Sequence, residues 1–346
     1  MNRLFTSYKY ELKKLLFVRK GWILLLGIFT LQIAMALFLN PSQKYVFDKE
    51  LYAKYVELYS GEYSEETAQS IENDLLSAEK VVNETDLSQL TNSDEIEALS
   101  QQLILASMKR NALSALQAKY TELSECKEYH PVLTYDLEFT EYITKYGLNW
   151  ASIIGILFII PMLMLGDKNC GMEQILFPTS MGRKTIVSSK LLVGMTLSLF
   201  ITAVFSIIQI FIMGIRWDYG LINVPIQSIS GFEKCQIEGT VLSCMITCIA
   251  IQIFSTASLA MIICILSSLL KKEPAIFSAT VIIIIMSAFL SEKFPSVSVL
   301  FIFSAMLGIS SIKTFSVIQI LLLCFVLLIK TYILAISAKY LANRKI

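Results

Sequence analysis

The chain's one histidine, His130, sets the first limit on its chemistry. Imidazole is the usual general base near neutral pH, so a single copy leaves proton transfer to carboxylates and lysines. The apolar stretches carry no acidic pair and no nucleophile beside a base, which argues against a membrane-embedded enzyme. Seven cysteines (Cys126, Cys170, Cys235, Cys244, Cys248, Cys264 and Cys324) form no CxxC pair. Cys244 and Cys248 stand four apart in an apolar run without a companion histidine, a spacing that suits helix packing better than metal ligation. No metal site is therefore expected, and whether Cys126 and Cys235 pair is open. No GxxxxGK[ST] loop occurs, so the chain lacks the backbone cradle that holds nucleotide phosphates. What remains is a charged island, "MEQILFPTSMGRKTIVSSKLL" over residues 172–192, with Glu173, Arg183, Lys184 and Lys190 between two apolar runs. Met172, Ile175 and Leu176 are spaced for one helical face, and Pro178 predicts a bend before Arg183. Such charges are suited to hold a docked protein, or else only to orient the spans beside them.

The elements that must position this island are membrane helices. Of 346 residues 55% are hydrophobic and only 16% charged, with a formal net charge of +1 and a mean hydropathy of +0.62. That balance predicts an integral membrane protein and gives no case for nucleic acid as a partner. Six apolar runs predict spans at residues 21–39, 148–165, 191–215, 241–270, 275–290 and 318–337. The first has nineteen residues, roughly 28 Å of helix, enough to cross the hydrocarbon. A further run at 299–309 is too short to cross and is expected to be re-entrant. The fold class expected is an all-α polytopic membrane protein with six transmembrane helices, a short re-entrant element before the last, and a helical extracytoplasmic insert between helices 1 and 2.

Charge sets the orientation. Arg3, Lys9, Lys13, Lys14, Arg19 and Lys20 precede the first span, and Lys168, Arg183, Lys184 and Lys190 fall between the second and third. Lys271 and Lys272 follow the fourth, and Lys339, Arg344 and Lys345 follow the last. The positive-inside rule puts all of these, and both termini, on the cytoplasmic side of the plasma membrane. A seventh crossing would throw the basic C-terminus outside. Residues 1–20 place Leu4, Tyr8, Leu12, Leu15 and Leu16 on one face with Lys9, Lys13 and Lys20 elsewhere, as in a helix lying among lipid headgroups; alternatively the basic residues only orient the first span. Residues 40–147 carry twenty acidic and nine basic residues and are expected outside. Within them Ile96, Leu99, Leu103, Ala106, Leu113, Leu116, Tyr120 and Leu123 make a helical stripe interrupted at Arg110, and residues 65–82 suit a partner helix.

The island also carries a resemblance. Asp167 and Glu173 as acidic positions, Gly171, Leu176, the small residue and arginine Gly182–Arg183, and Lys190-Leu191-Leu192 at the entry to the next span are similar to the cytoplasmic loop of permease subunits of the ABC-2 family of ATP-binding-cassette transporters. Ser180 stands where that family commonly has proline, with Pro178 two positions earlier. The order of parts also resembles the family's. The resemblance implies a cytoplasmic coupling segment at 166–190, in which Glu173, Leu176, Arg183 and Lys190 contact a separate ATPase subunit. It further implies a second membrane subunit, identical or homologous, and ATP with Mg bound only by the ATPase, so that this chain is non-catalytic and holds no cofactor. The cargo implied is hydrophobic or amphipathic, a membrane-active peptide or a lipid. Gln209, Gln252, Ser255 and Thr256 are candidates to line a path and Pro161 to kink the second span, although the same residues also serve helix packing. The spans hold no central Asp, Glu or Arg, which weakens an ion-coupled carrier. The alternative is a membrane-anchored sensor or scaffold acting through residues 40–147.

Overall fold

A computed structural model describes residues 2–38, 45–84, 93–140, 150–172, 182–217, 220–270, 272–293 and 317–344. The chain divides into two compact units. One comprises Met1–Asn40, Thr144–Arg216 and Met245–Ile346; the other comprises Pro41–Ile143 and Trp217–Cys244.

Among its described residues the first unit consists of helices joined by short turns, as a chain in hydrocarbon requires: each backbone N–H and C=O must find its partner within the same segment. Its helices are α1 (Asn2–Lys13) and α2 (Gly21–Phe38), then α6 (Trp150–Asn169) and α7 (Gly182–Trp217), then α8 (Val241–Leu269), α9 (Glu273–Lys293) and α10 (Val317–Arg344). The last five are long and apolar enough to cross a membrane, and α1 with α2 makes a sixth candidate bent by 66°. The protein is thus a multi-pass, all-α membrane protein. The expected re-entrant run at 299–309 lies outside the described residues.

The bend has a local cause. After α1 the backbone loosens into a π turn over Lys14–Val18, and Lys20 adopts φ 56°, the left-handed region. At Gly21 a Cβ would stand 2.8 Å from the Leu15 carbonyl oxygen, so only glycine lets the chain double back this tightly.

Helix α6 is the centre of this unit. One side packs Ile153, Ile156 and Ile160 against Leu191 of α7, Leu259 and Ile263 of α8, and Ile276 of α9. The other packs Ile159 and Leu163 against Leu15, Ile28, Val193, Leu197 and Phe205. Pro161 sits buried inside α6, which continues on both sides of it. Hydroxyl pairs tie the helices further: Thr202 with Thr256 at 2.8 Å and Ser258 with Thr331 at 2.6 Å. Such pairs satisfy polar groups that lipid cannot.

The second unit has a conventional hydrophobic core. Helix α3 (Lys49–Leu58) opens with Asp48, whose carboxylate accepts the Leu51 N–H. Strand β1 (Gly61–Glu62) pairs antiparallel with β2 (Val132–Leu133), and α4 (Glu65–Glu84) packs on the 33-residue α5 (Ser93–Glu125). Tyr52, Val56, Ile71, Leu75, Leu113, Leu116, Tyr120 and Leu123 fill the interior. Of the predicted stripe, Leu113, Leu116, Tyr120 and Leu123 are buried and Leu99, Leu103 and Ala106 half-buried.

Residues 217–244, which hydropathy marks as a connector up to residue 240, belong to this unit. Ile222, Ile226, Ile229, Phe232 and Ile237 are buried in it. The Val132 N–H donates to the Ser228 hydroxyl at 2.9 Å, and the Ser230 N–H to Asp136 at 2.6 Å. Asp136 also holds the buried Lys119 ammonium. The buried Gln227 amide donates to the carbonyls of Cys235 at 2.9 Å and Ile237 at 3.0 Å. A backbone bridge joins Pro225 and Thr240.

Candidate functional site

The apolar run of α6 ends near Leu165, yet the helix continues to Asn169 and carries Asp167 inside, its side chain 1% exposed. A carboxylate at that depth must be paired. Three cations meet it. Lys14, from the π turn, and Arg19, from the bend, both ion-pair with Oδ1, and the Lys190 ammonium of α7 lies 2.7 Å from Oδ2. All three cations are nearly buried.

Local sequence makes this convergence possible. Arg19 lies along α6, donating to the Met162 carbonyl and, at 3.4 Å, to that of Leu163. It can do so because residue 166 is glycine: a Cβ there would overlap the guanidinium. Gly166→Ala is accordingly expected to displace Arg19. Thermal unfolding in detergent should show a lowered midpoint, and Gly166→Ala with Arg19→Ala should be little worse than either alone. Full additivity of the two losses would show that Gly166 acts independently of Arg19.

The N-terminal helix reaches the same place with its polar side. Ser7, Glu11, Lys14 and Leu15 are buried, while Leu4 and Phe5 are exposed and Lys9 and Lys13 face outward. The Ser7 and Ser189 hydroxyls share a hydrogen bond at 2.8 Å, and Tyr8 and Thr196 share one at 3.0 Å. Together with the ions, these contacts fasten α1 to α7 and to the end of α6. The Asn169 amide donates to Glu273 of α9 at 3.1 Å, extending the junction by one helix.

The arrangement holds charge in place; it has no nucleophile beside a base. Among the described residues no group of three metal-binding side chains comes together. Asp167 and Lys190 stand on the two helices that flank residues 173–181, so the ion pair joins those helices.

Of the residues singled out in sequence, Glu173 and Leu176 lie outside the described residues. Arg183 is half-buried in the first turn of α7, Lys184 is exposed, and Lys190 turns to Asp167. Gln252, Ser255 and Thr256 are buried on α8, and Gln209 is half-buried on α7. Thr256 also donates to the Gln252 carbonyl at 2.8 Å. Lys14 and Arg19 as partners of Asp167 were missed by sequence reasoning. The usable signal was Asp167 itself, an acid two residues past an apolar run among many cations. Comparison of the chain with protein-family models, curated proteins and solved structures finds no match.

Proposed function

We propose that this chain is the permease subunit of an ABC-2 type transporter, coupling ATP hydrolysis by a separate subunit to export of a hydrophobic or amphipathic substrate such as a membrane-active peptide or lipid. The observation that carries the proposal is the Asp167 junction. It clamps both helices flanking residues 173–181, and the N-terminal helix with them, so that force applied to the island would move three elements together. A connector that only turned between spans would need no such brace. In this proposal both termini face the cytoplasm, the second unit lies outside, and Glu173, Leu176 and Arg183 meet the ATPase. Lys190 acts from within the brace rather than at the contact.

Helices α9 and α10 support a partner in the membrane. Their spans are only 17% and 22% buried, against 67% for α6. Ile282, Ile285, Phe289, Leu321 and Phe325 are among the apolar side chains left exposed. Lipid and a second membrane subunit are the surfaces such faces suit.

The test is co-purification from native membranes. The full-length chain should bring down a P-loop ATPase, identified by sequence and by ATP hydrolysis. Glu173→Ala and Arg183→Ala should reduce that yield and the substrate-stimulated hydrolysis, with chain abundance unchanged. Lys345→Ala, on the same side but away from the island, supplies the control. Wild-type levels of complex and stimulation in both island variants would reduce the segment to a positive-inside anchor. A second reading, a sensor acting through the other unit, draws on a cavity of about 180 Å³ lined by Tyr63, Ile71, Glu72, Gln117, Tyr120 and Ser124. Recovery of the chain with no ATPase at all would favour it.

A further inference from the structure

We propose that the cavity between the start of α4 and the end of α5 binds a guanidinium or ammonium group on a short alkyl stem, the head of a basic peptide side chain or of a small amine. The cavity measures about 180 Å³. Pockets for drug-sized molecules run to roughly 300–1,000 Å³, so this one suits a single side chain or a molecule of that size. Its covered lining is apolar: Ile71 and the Tyr120 ring are buried, and the Tyr63 ring is half-buried. The two ring centroids stand 4.9 Å apart.

What the lining offers a ligand is mainly acceptors. The Thr121 hydroxyl donates to the Gln117 carbonyl at 2.9 Å, and the Ser124 hydroxyl to the Thr121 carbonyl at 2.6 Å. With their only protons committed, both oxygens keep lone pairs alone. The Tyr120 hydroxyl is spent on Ser64, donating to its carbonyl at 3.1 Å and accepting its N–H at 2.9 Å. The first N–H groups of α4, which could otherwise hold an anion, are spent as well: Thr67 donates to the Ser64 hydroxyl at 3.1 Å and Ala68 to the Ser64 carbonyl at 3.2 Å. Glu72 is exposed and, among the described residues, forms no ion pair. Its carboxylate only accepts, while the Gln117 amide and the Tyr63 hydroxyl can turn either way. A cationic donor therefore satisfies every group here, whereas a carboxylate or phosphate would meet Glu72 with like charge.

The aromatic wall suits the same ligand, since a ring face attracts a cation. Tyr63 already has one: the Lys127 ammonium lies 5.1 Å from its centroid and pairs with Glu65 at 3.1 Å. The wall is also set in advance of binding, because Tyr120 grips the residue that caps α4 and the Tyr63 N–H donates to the Pro131 carbonyl at 3.1 Å. This site goes beyond both readings above, for it belongs to the unit whether the chain carries a cargo or senses a ligand.

The test uses the full-length chain in lipid nanodiscs and ligand-observed NMR, with n-butylguanidinium as probe, n-butylurea as its neutral counterpart and pentanoate as an anion. The expected result is saturable binding of n-butylguanidinium alone, weakened by salt. Glu72→Gln should weaken it about fivefold, the upper end for an exposed ion pair. Lys127→Gln removes the competing cation and leaves Glu65 unpaired, so it should tighten binding. Opposite shifts from two exposed substitutions are not the mark of a damaged fold. A capped tripeptide with arginine at its centre then separates the sources: tighter binding than the probe identifies a peptide, and weaker binding a small amine. Equal binding of n-butylurea, preference for pentanoate, no binding of any probe, or an affinity unmoved by Glu72→Gln would overturn the site. None of these outcomes bears on recovery of an ATPase, so the transport reading stands or falls separately.

Discussion

Asp167→Asn is expected to destabilise the membrane unit by about 3–5 kcal/mol, the usual cost of leaving buried charge without its counterion. The substitution keeps the size of the side chain and removes the negative charge that Lys14, Arg19 and Lys190 share, each at 12% side-chain exposure or less. Thermal unfolding in detergent should show a midpoint far below that of Lys184→Ala, which alters an exposed cation of the same region. Adding Lys190→Met to Asp167→Asn should recover part of the loss, because one uncompensated cation is then gone. An Asp167→Asn protein that melts with the wild type, or a double variant worse than the single, would mean that the three cations do not depend on this carboxylate.

In the other unit the largest loss is expected from Asp136→Asn. This carboxylate is wholly buried and holds the Lys119 ammonium, itself 6% exposed. It also accepts the Ser230 N–H at 2.6 Å and the Thr140 hydroxyl at 3.2 Å. Lys119 keeps one other acceptor, the Thr134 carbonyl at 2.7 Å, which cannot neutralise it. A cost of about 3–5 kcal/mol is again the scale, but its location differs. Amide hydrogen exchange should accelerate at residues 226–237 and around β2, with α6 and α7 unchanged. Unchanged exchange at Ser230 would show that the segment is held without Asp136.

The contrast between these two acids and the apolar runs explains what the sequence discloses. Helices α6 to α10 announce themselves because hydrocarbon tolerates nothing but long apolar helix, so composition alone carries the information. Helix α4 was legible over residues 65–82, and Leu113, Leu116, Tyr120 and Leu123 kept the helical period that buries them. The ionic junction was not legible. Lys14 and Asp167 are 153 positions apart, and a charge count treats Lys14, Arg19 and Lys190 as orienting cations whether or not they find a partner. Nor does the apolar stripe of α1 reveal that Ser7 and Glu11 point inward, because that choice is made by the Ser189 hydroxyl and the Lys190 charge that α7 offers them. Residues 217–244 misled for the opposite reason: Ile226, Ile229, Phe232 and Ile237 are spaced by three, three and five, sustaining neither a helix nor a strand period, and they pack through turns that Gln227 ties together.

That segment has a consequence for how the protein is made. The unit it completes is assembled from Pro41–Ile143 and Trp217–Cys244, and a compact water-filled-side domain can close only if both pieces emerge into the same compartment. On the topology proposed above, the chain between them crosses the bilayer an even number of times, with α6 and α7 as the pair. On that topology the earlier piece would be made first, with Asp136 lacking its Ser230 partner until two further helices had been inserted. Failure of either to insert strands the later piece on the wrong side and leaves the domain unfinished. Completion of this domain is in effect a parity check on membrane insertion, written into a few hydrogen bonds between residues a hundred positions apart.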